Sequence, residues 1–245
     1  MHVKLKKKFG QNFLIDKNIS NKIGNLINNY NLNILEIGPG DGKLTESIIR
    51  KKPKNLDLVE IDKDLIVDLK KNFKNYNIIN IINEDILKLN INKKYDLVIS
   101  NLPYNLSSKV LEKLVLLKKN PKIMILMFQK EFAERLLSQN LNSINSLVNC
   151  FFKTKLQFNV SKNCFKPVPK VESSVLKFEK LKKSLLKKNE IKSFIKFKRY
   201  IFSHKRKSLR KVLKKYNYND SDKLDLRAEK LELDYLIKIF RKIKL

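Results

Sequence analysis

Five short apolar runs, each followed by a stretch with helical spacing, constrain this chain more than any other feature of it. They occupy residues 34–37, 56–60, 78–82, 95–100 and 123–127. Such runs stay apolar at successive positions instead of alternating, which suits strands covered on both faces. Helical patterns separate them, as over 65–73 and 107–117. Strands alternating with helices predict an α/β fold with a parallel sheet between helical layers. Ligands of such sheets lie beyond the carboxyl ends of the strands. Upstream, Asp16 can cap a helix that puts Ile19, Ile23, Leu26, Ile27 and Tyr30 on one face. Downstream, helices are expected over 131–138 and near 146–152. A loop follows over 163–170, and a last strand over 174–178 should close the domain.

The rest of the chain differs in character. Of 245 residues, those from 180 onward hold 23 Lys and Arg against 7 Asp and Glu, an excess of +16 within a total formal charge of +30. No acidic residue falls between Ile191 and Asn219, while Phe194, Ile195, Ile201, Phe202, Leu209, Val212 and Leu213 keep a roughly helical spacing. Like charges at that density destabilise a bare helix, so a phosphate-contacting surface is the better reading than a solvated face. An excess of this size repels itself unless a polyanion is near. Nucleic acid is the natural partner and an anionic membrane surface the rival, which lacks an aromatic-rich amphipathic anchor. Heavy use of Lys, Asn and Ile with little Gly looks like an A/T-rich coding bias, to which part of the lysine excess belongs. The expected division is a catalytic domain over 1–180, its first 15 residues basic, then a charged linker and a helical domain over 181–245. A hydrophobic fraction of 42% supports a globular core. Cys150 and Cys164 have no metal-type spacing and read as thiols of a reducing cytosol. No apolar stretch has membrane-spanning length and no signal peptide is recognised, so the expected location is cytoplasmic.

Chemistry gathers at the strand ends. Gly38-Pro39-Gly40-Asp41-Gly42 joins the first strand to a helix, where glycines let the backbone approach a ligand. It fits a dinucleotide fingerprint poorly, because Lys43 stands where the third glycine is needed and Pro39 lies inside the turn. Glu60 ends the second strand, where a carboxylate can chelate two ribose hydroxyls. Asp85 follows the third and could accept from an adenine amine. Asn101-Leu102-Pro103-Tyr104 follows the fourth and offers an amide, a proline-fixed carbonyl and a ring face. Asn-x-Pro alone is an ordinary turn signal, and each acid alone could be a helix cap or surface charge. Similar placement at consecutive strand ends makes that joint reading the weaker one.

With these pieces stand Phe9 to Leu14, Glu36-Ile37-Gly38-Pro39-Gly40, Glu60-Ile61-Asp62, Glu84-Asp85 and Pro167-Val168-Pro169-Lys170-Val171-Glu172-Ser173-Ser174. The C-terminal part adds His204 to Arg210 and Leu226-Arg227-Ala228-Glu229. In order and over nearly the whole chain they resemble the small-subunit ribosomal RNA adenine dimethyltransferases, the kasugamycin-resistance methyltransferase family. The resemblance implies a Rossmann-like S-adenosylmethionine-dependent methyltransferase fold with a small all-helical C-terminal domain. It implies S-adenosylmethionine as cofactor, with Asn12 and Leu14 closing over it. Gly38 would meet its methionine part, Glu60 the ribose, Asp85 the adenine, and Asn101 both methionine and target. The implied reaction dimethylates two adjacent adenosines in the 3′-terminal hairpin loop of small-subunit (16S) RNA, tied to biogenesis of that subunit, by a monomer needing no metal.

The exocyclic amine of adenine is a poor nucleophile, because its lone pair is delocalised into the ring. Donating its N–H groups to Asn101 and the Leu102 carbonyl would favour a tetrahedral nitrogen and aim the lone pair at the methyl donor. The base must leave its stack, with Tyr104 as one stacking face and Phe165 as the expected second, against a rival core role for Phe165. Lys205, Arg206, Lys207 and Arg210 are the candidate RNA contacts. Asp41 and Lys43 depart from the small or apolar residues common in relatives. Two alternatives accompany this reading: a large-subunit RNA adenine methyltransferase of the erythromycin-resistance type, and a non-catalytic assembly factor. The intact tetrad and Glu60 argue against the second.

Overall fold

The structure, a computed structural model, describes residues 12–218 and 223–243. Expectations placed on residues 1–11, including most of the basic leading segment, lie outside the described residues. The chain forms two compact units, one built from residues up to 133 with 154–180, the other from 134–153 with 181–245.

The first unit is organised by a seven-stranded sheet. The described strands begin with β1 (Phe13–Leu14), β2 (Asn33–Ile37), β3 (Asn55–Glu60), β4 (Ile79–Asn83), β5 (Leu97–Asn101) and β6 (Ile123–Gln129). They continue with β7 (Phe152–Val160), β8 (Phe165–Lys166) and β9 (Ser173–Lys180). The large sheet runs β4-β3-β2-β5-β6-β9-β7. β2 pairs in parallel with β3 and β5, β3 with β4, and β5 with β6. The five apolar runs are thus the five parallel strands, and Leu35, Leu56, Leu58, Val98, Ile99 and Met124 are buried. Chain order reverses beside β2, so the ends of β2 and β5 open the crevice where ligands of such sheets bind.

Helices α1 (Lys17–Gly24), α2 (Lys43–Ile49), α3 (Lys63–Asn72) and α4 (Ser107–Val115) connect these strands. The Asp16 cap behaves as expected, its Oδ1 accepting from the Asn18 and Ile19 N–H groups at 2.8 and 3.2 Å. Gly24 lets α1 lie against α2, since a Cβ there would stand 2.9 Å from Ser47 Cβ.

Two expectations need correction, the division at residue 180, because 134–153 joins the second unit, and the extent of one helix. The last strand, β9, does close the first unit in chain order, and in the sheet it lies antiparallel to β6 with β7 at the edge. Residues near 146–152 form only a short helix, α6 (Asn145–Val148), before β7 begins. A smaller two-stranded sheet pairs β1 with β8 antiparallel, Phe13 opposite Lys166 and Leu14 opposite Phe165.

The second unit contains α6, α7 (Ile191–Ser203), α8 (Leu209–Leu213) and α9 (Leu233–Lys242). Helix α5 (Lys130–Leu137) begins in the first unit and ends in the second. Phe194, Phe197 and Phe240 form the aromatic centre of the second unit, with ring centroids 5.2 Å apart for Phe194–Phe240 and 5.5 Å for Phe197–Phe240. The segment expected as a charged linker is tied down within the second unit: Leu181 and Leu185 N–H donate to the Phe151 and Cys150 carbonyls, and Leu186 is buried. No helix among the described residues is long and apolar enough to cross a membrane.

Candidate active site

At the carboxyl ends of β2, β3 and β5 lies a cleft of about 300 Å³, bordered by Gly38, Glu60, Asp85, Asn101 and Tyr104 among others. That is the lower end of the size range of small-molecule sites. Its floor is the turn after β2. Gly38, Gly40 and Gly42 have φ of +64°, +61° and +86°, a region that side-chain-bearing residues rarely enter. The turn is closed by Gly42 N–H to the Pro39 carbonyl at 3.0 Å and tied to β3 by Gly38 N–H to the Val59 carbonyl at 2.9 Å. Asp41 and Lys43, the two departures noted in this loop, neutralise one another as an ion pair.

Glu60 ends β3, and its carboxylate braces the turn. Oε2 accepts from the Gly40 N–H at 3.3 Å, and Oε1 from the Ile61 and Asp62 N–H groups, both at 2.9 Å. Burial raises its pKa, while the N–H groups of Asp62, Gly40 and Ile61 oppose that and the Asp62 charge adds to it. Asp85 lies past β4, with one carboxylate oxygen accepting from the Leu87 N–H at 2.8 Å.

The tetrad turns out of β5. Asn101 Nδ2 donates to the Asn12 carbonyl at 3.0 Å, so the amide's nitrogen is engaged and its oxygen remains as the acceptor. Leu102 is buried. The Tyr104 phenol, whose pKa burial raises, shares a 2.8 Å hydrogen bond with Ser173 Oγ at the start of β9.

The structure brings Asn12, Leu14, Gly38, Glu60, Asp85, Asn101, Leu102, Pro103 and Tyr104 to this one cleft. It does not bring Phe165. That side chain is 1% exposed, packed in the core with Leu14, Val160 and Val175, and absent from the cleft wall. Its strand pairs with β1 and turns the ring inward, so of the two readings weighed for it the core role is the one observed. Lys205, Arg206 and Lys207 are exposed between α7 and α8 of the second unit. Arg210 is exposed too, but its guanidinium forms a bidentate pair with Asp225 at 2.9 and 3.0 Å.

Three contributors lie within stretches quoted for the resemblance but were given no role by sequence reasoning. Phe13 stands over Gly40, where a Cβ would come within 3.0 Å of its ring. Ser173 anchors the phenol. Glu36, 1% exposed, borders the cleft with Oε2 accepting from Thr45 Oγ1 at 2.7 Å and Oε1 buried without a partner. Of the three, Glu36 also left a signal of its own, an acid inside an otherwise apolar run.

These residues suit an adenosine ligand with an amino-acid tail: carboxylates at two strand ends to accept from hydroxyls and amine, open space beside the Gly38 Cα, and an orphaned buried carboxylate oxygen. Residues 2–239 match the family model described as ribosomal RNA adenine dimethylase. The chain belongs to that family. It is therefore an rRNA adenine dimethyltransferase whose cofactor is S-adenosylmethionine. The chain is 38% identical over 258 residues to the ribosomal RNA small subunit methyltransferase A of Pelagibacter ubique, covering 98% of this chain and 97% of the relative. It is 40% identical over 236 residues to that of Mycoplasmopsis synoviae, covering 93% and 88%. Among solved structures, a Plasmodium falciparum dimethyladenosine transferase superposes with TM-score 0.83 at 25% identity, covering 94% of this chain and 96% of that one. The 23S rRNA methyltransferase ErmE gives TM-score 0.75 at 19% identity, covering 95% and 99%, a likeness of fold. The adenine dimethylase family thus accounts for the parallel sheet, the glycine turn and the tetrad together.

Proposed function

We propose that this dimethyltransferase acts on the small ribosomal subunit, on two adjacent adenosines in the 3′-terminal hairpin loop of its RNA. Full-length relatives named for the small subunit support that choice. The observation that carries the chemistry is the Asn101 amide: with Nδ2 donating to Asn12, its oxygen is the group left for an amine to donate to. Bound S-adenosylmethionine supplies the activated methyl group.

The chain's own residues do the positioning. Asn101 Oδ1 and the Leu102 carbonyl accept the two N–H groups of the target amine, drawing its nitrogen toward tetrahedral geometry. Tyr104, held by Ser173, gives the flipped base a face to stack on, a contact of about 1–3 kcal/mol in other base–aromatic pairs. Glu60 and Asp85 accept from the cofactor's ribose and adenine. Gly38 lets its methionine part approach, and Asn12 and Leu14 close over it. Residues 1–180 are read as the methyltransferase domain, less the 134–153 stretch that joins the second unit, and 181–245 as the RNA-holding domain, with Lys205, Arg206, Lys207 and Arg210 toward phosphates. We further propose that the enzyme works as a monomer on immature small subunits.

The test is methyl transfer from radiolabelled cofactor to immature small subunits and, separately, to large subunits, with dimethyladenosine mapped by mass spectrometry. Label confined to large-subunit RNA would overturn the substrate. Asn101→Ala should abolish transfer while RNA binding persists; turnover near the normal rate would remove the role given to the amide.

A further inference from the structure

Glu36 presents a problem that no residue among the described ones solves. It lies near the end of β2, between Leu58 of β3 and Ile99 of β5 in the sheet register, two apolar neighbours. From α2, Thr45 satisfies one carboxyl oxygen. The charges that bear on it are both negative, Glu60 from β3 and Asp41 from the glycine turn. Lys43 at the start of α2 is paired with Asp41. The second oxygen, Oε1, is buried with no partner although the side chain borders the cofactor cleft. Buried polar atoms in native proteins have partners, and one left over beside a ligand cleft points to the ligand. Burial, with the two acidic neighbours adding to it, pushes this carboxyl up to about 8. At neutral pH it is then mostly protonated.

The missing partner must be a hydrogen-bond donor, and a positive one lets the carboxyl ionise. S-adenosylmethionine carries two cations, but its sulfonium has no N–H, whereas the ammonium of its amino-acid part has three. We propose that Glu36 is the proton-linked receptor for that ammonium: neutral before the cofactor binds, ionised and hydrogen-bonded once it has, with the displaced proton passing to solvent. The balance is one carboxyl O–H broken, one proton released, and one carboxylate–ammonium pair formed. Glu36 thereby ties cofactor affinity to pH: affinity rises up to about tenfold per pH unit below the carboxyl's own pKa. This rests on the cofactor assignment, and the experiment separates the two.

Titration calorimetry of S-adenosylmethionine at pH 7, in two buffers of different ionisation enthalpy, counts protons. The expected release is about 0.5–1 proton per site, allowing for partial protonation of the free α-amine. Glu36→Gln keeps the shape and the Thr45 contact and should bind with no release. 5′-Methylthioadenosine, which lacks the amino-acid part, should bind the unaltered protein with no release, a readout that stands even if the variant misfolds. Cofactor binding without proton release, or equal release by Glu36→Gln or with 5′-methylthioadenosine, overturns the proposal alone. No binding of the cofactor at all overturns the assignment on which it rests as well.

Discussion

Alanine placed in turn at Gly38, Gly40 and Gly42 separates backbone strain from crowding within a single loop. All three glycines have φ between +61° and +86°, so each substitution carries the same left-handed backbone cost of about 1–2 kcal/mol. What differs is what the new methyl meets. At Gly38 nothing lies within 4 Å; at Gly40 it meets the Phe13 ring at 3.0 Å; at Gly42 it meets Phe73 at 2.7 and 2.9 Å and Leu69 at 3.3 Å. Phe73 is buried and cannot turn aside, so Gly42→Ala adds overpacking of about 1–3 kcal/mol. Phe13 is half-buried in a two-residue strand and can yield, so Gly40→Ala should fall between. Urea denaturation without added cofactor should rank the variants Gly38→Ala, Gly40→Ala, Gly42→Ala in falling stability. The last should lose about 2–5 kcal/mol, or roughly 4–20 °C in Tm at the usual 2–4 °C per kcal/mol for a chain of this size. Adding Phe13→Ala should bring the cost of Gly40→Ala down to that of Gly38→Ala. Equal losses at all three positions would refute the steric reasoning, leaving only the shared backbone term.

Three further outcomes follow from the structure. Phe165→Ala should destabilise the protein by about 3–5 kcal/mol as a core truncation, measured by thermal unfolding; unchanged stability with lost base binding would return the ring to the cleft. Lys205→Glu with Arg206→Glu should weaken RNA binding and flatten the dependence of log Kd on log salt; an unchanged slope would discount that surface. Glu36 has a folded pKa raised from 4.5 to about 8, so the folded chain binds the extra proton. Its contribution is present below the unfolded carboxyl's pKa and is lost as pH rises through about 8, so Glu36→Gln should gain on the parent over that window in pH-dependent denaturation.

Four of the five parallel strands, β2, β3, β5 and β6, were legible because they are buried on both faces, which leaves nearly continuous apolar runs in the sequence; the edge strand β4, with Asn80 and Asn83 exposed, was legible from its isoleucines. β7 was not: Lys153, Lys155, Leu156 and Asn159 stand exposed among half-buried neighbours, so the strand carries no continuous run. β1 and β8 are two residues each, too short for any period to register. The strand-end residues Glu60, Asp85 and Asn101 could be found because topology alone puts strand ends together. Phe165 could not be settled, since an aromatic beside a motif reads alike whether it faces ligand or core. The Arg210–Asp225 pair, 15 residues apart, depends on a chain reversal that spacing does not encode.

The late return of residues 154–180 to the first unit has a consequence for synthesis. A nascent chain that has emerged only as far as residue 150 already holds all five parallel strands and the tetrad. It lacks β9, so β6 presents an open edge, and the ring of Tyr104 lacks its Ser173 anchor. Competence for catalysis therefore arrives only after the intervening 134–153 stretch, which belongs to the other unit, has left the ribosome. Nonsense truncation anywhere before Lys180 should leave an aggregation-prone fragment and not a weak enzyme.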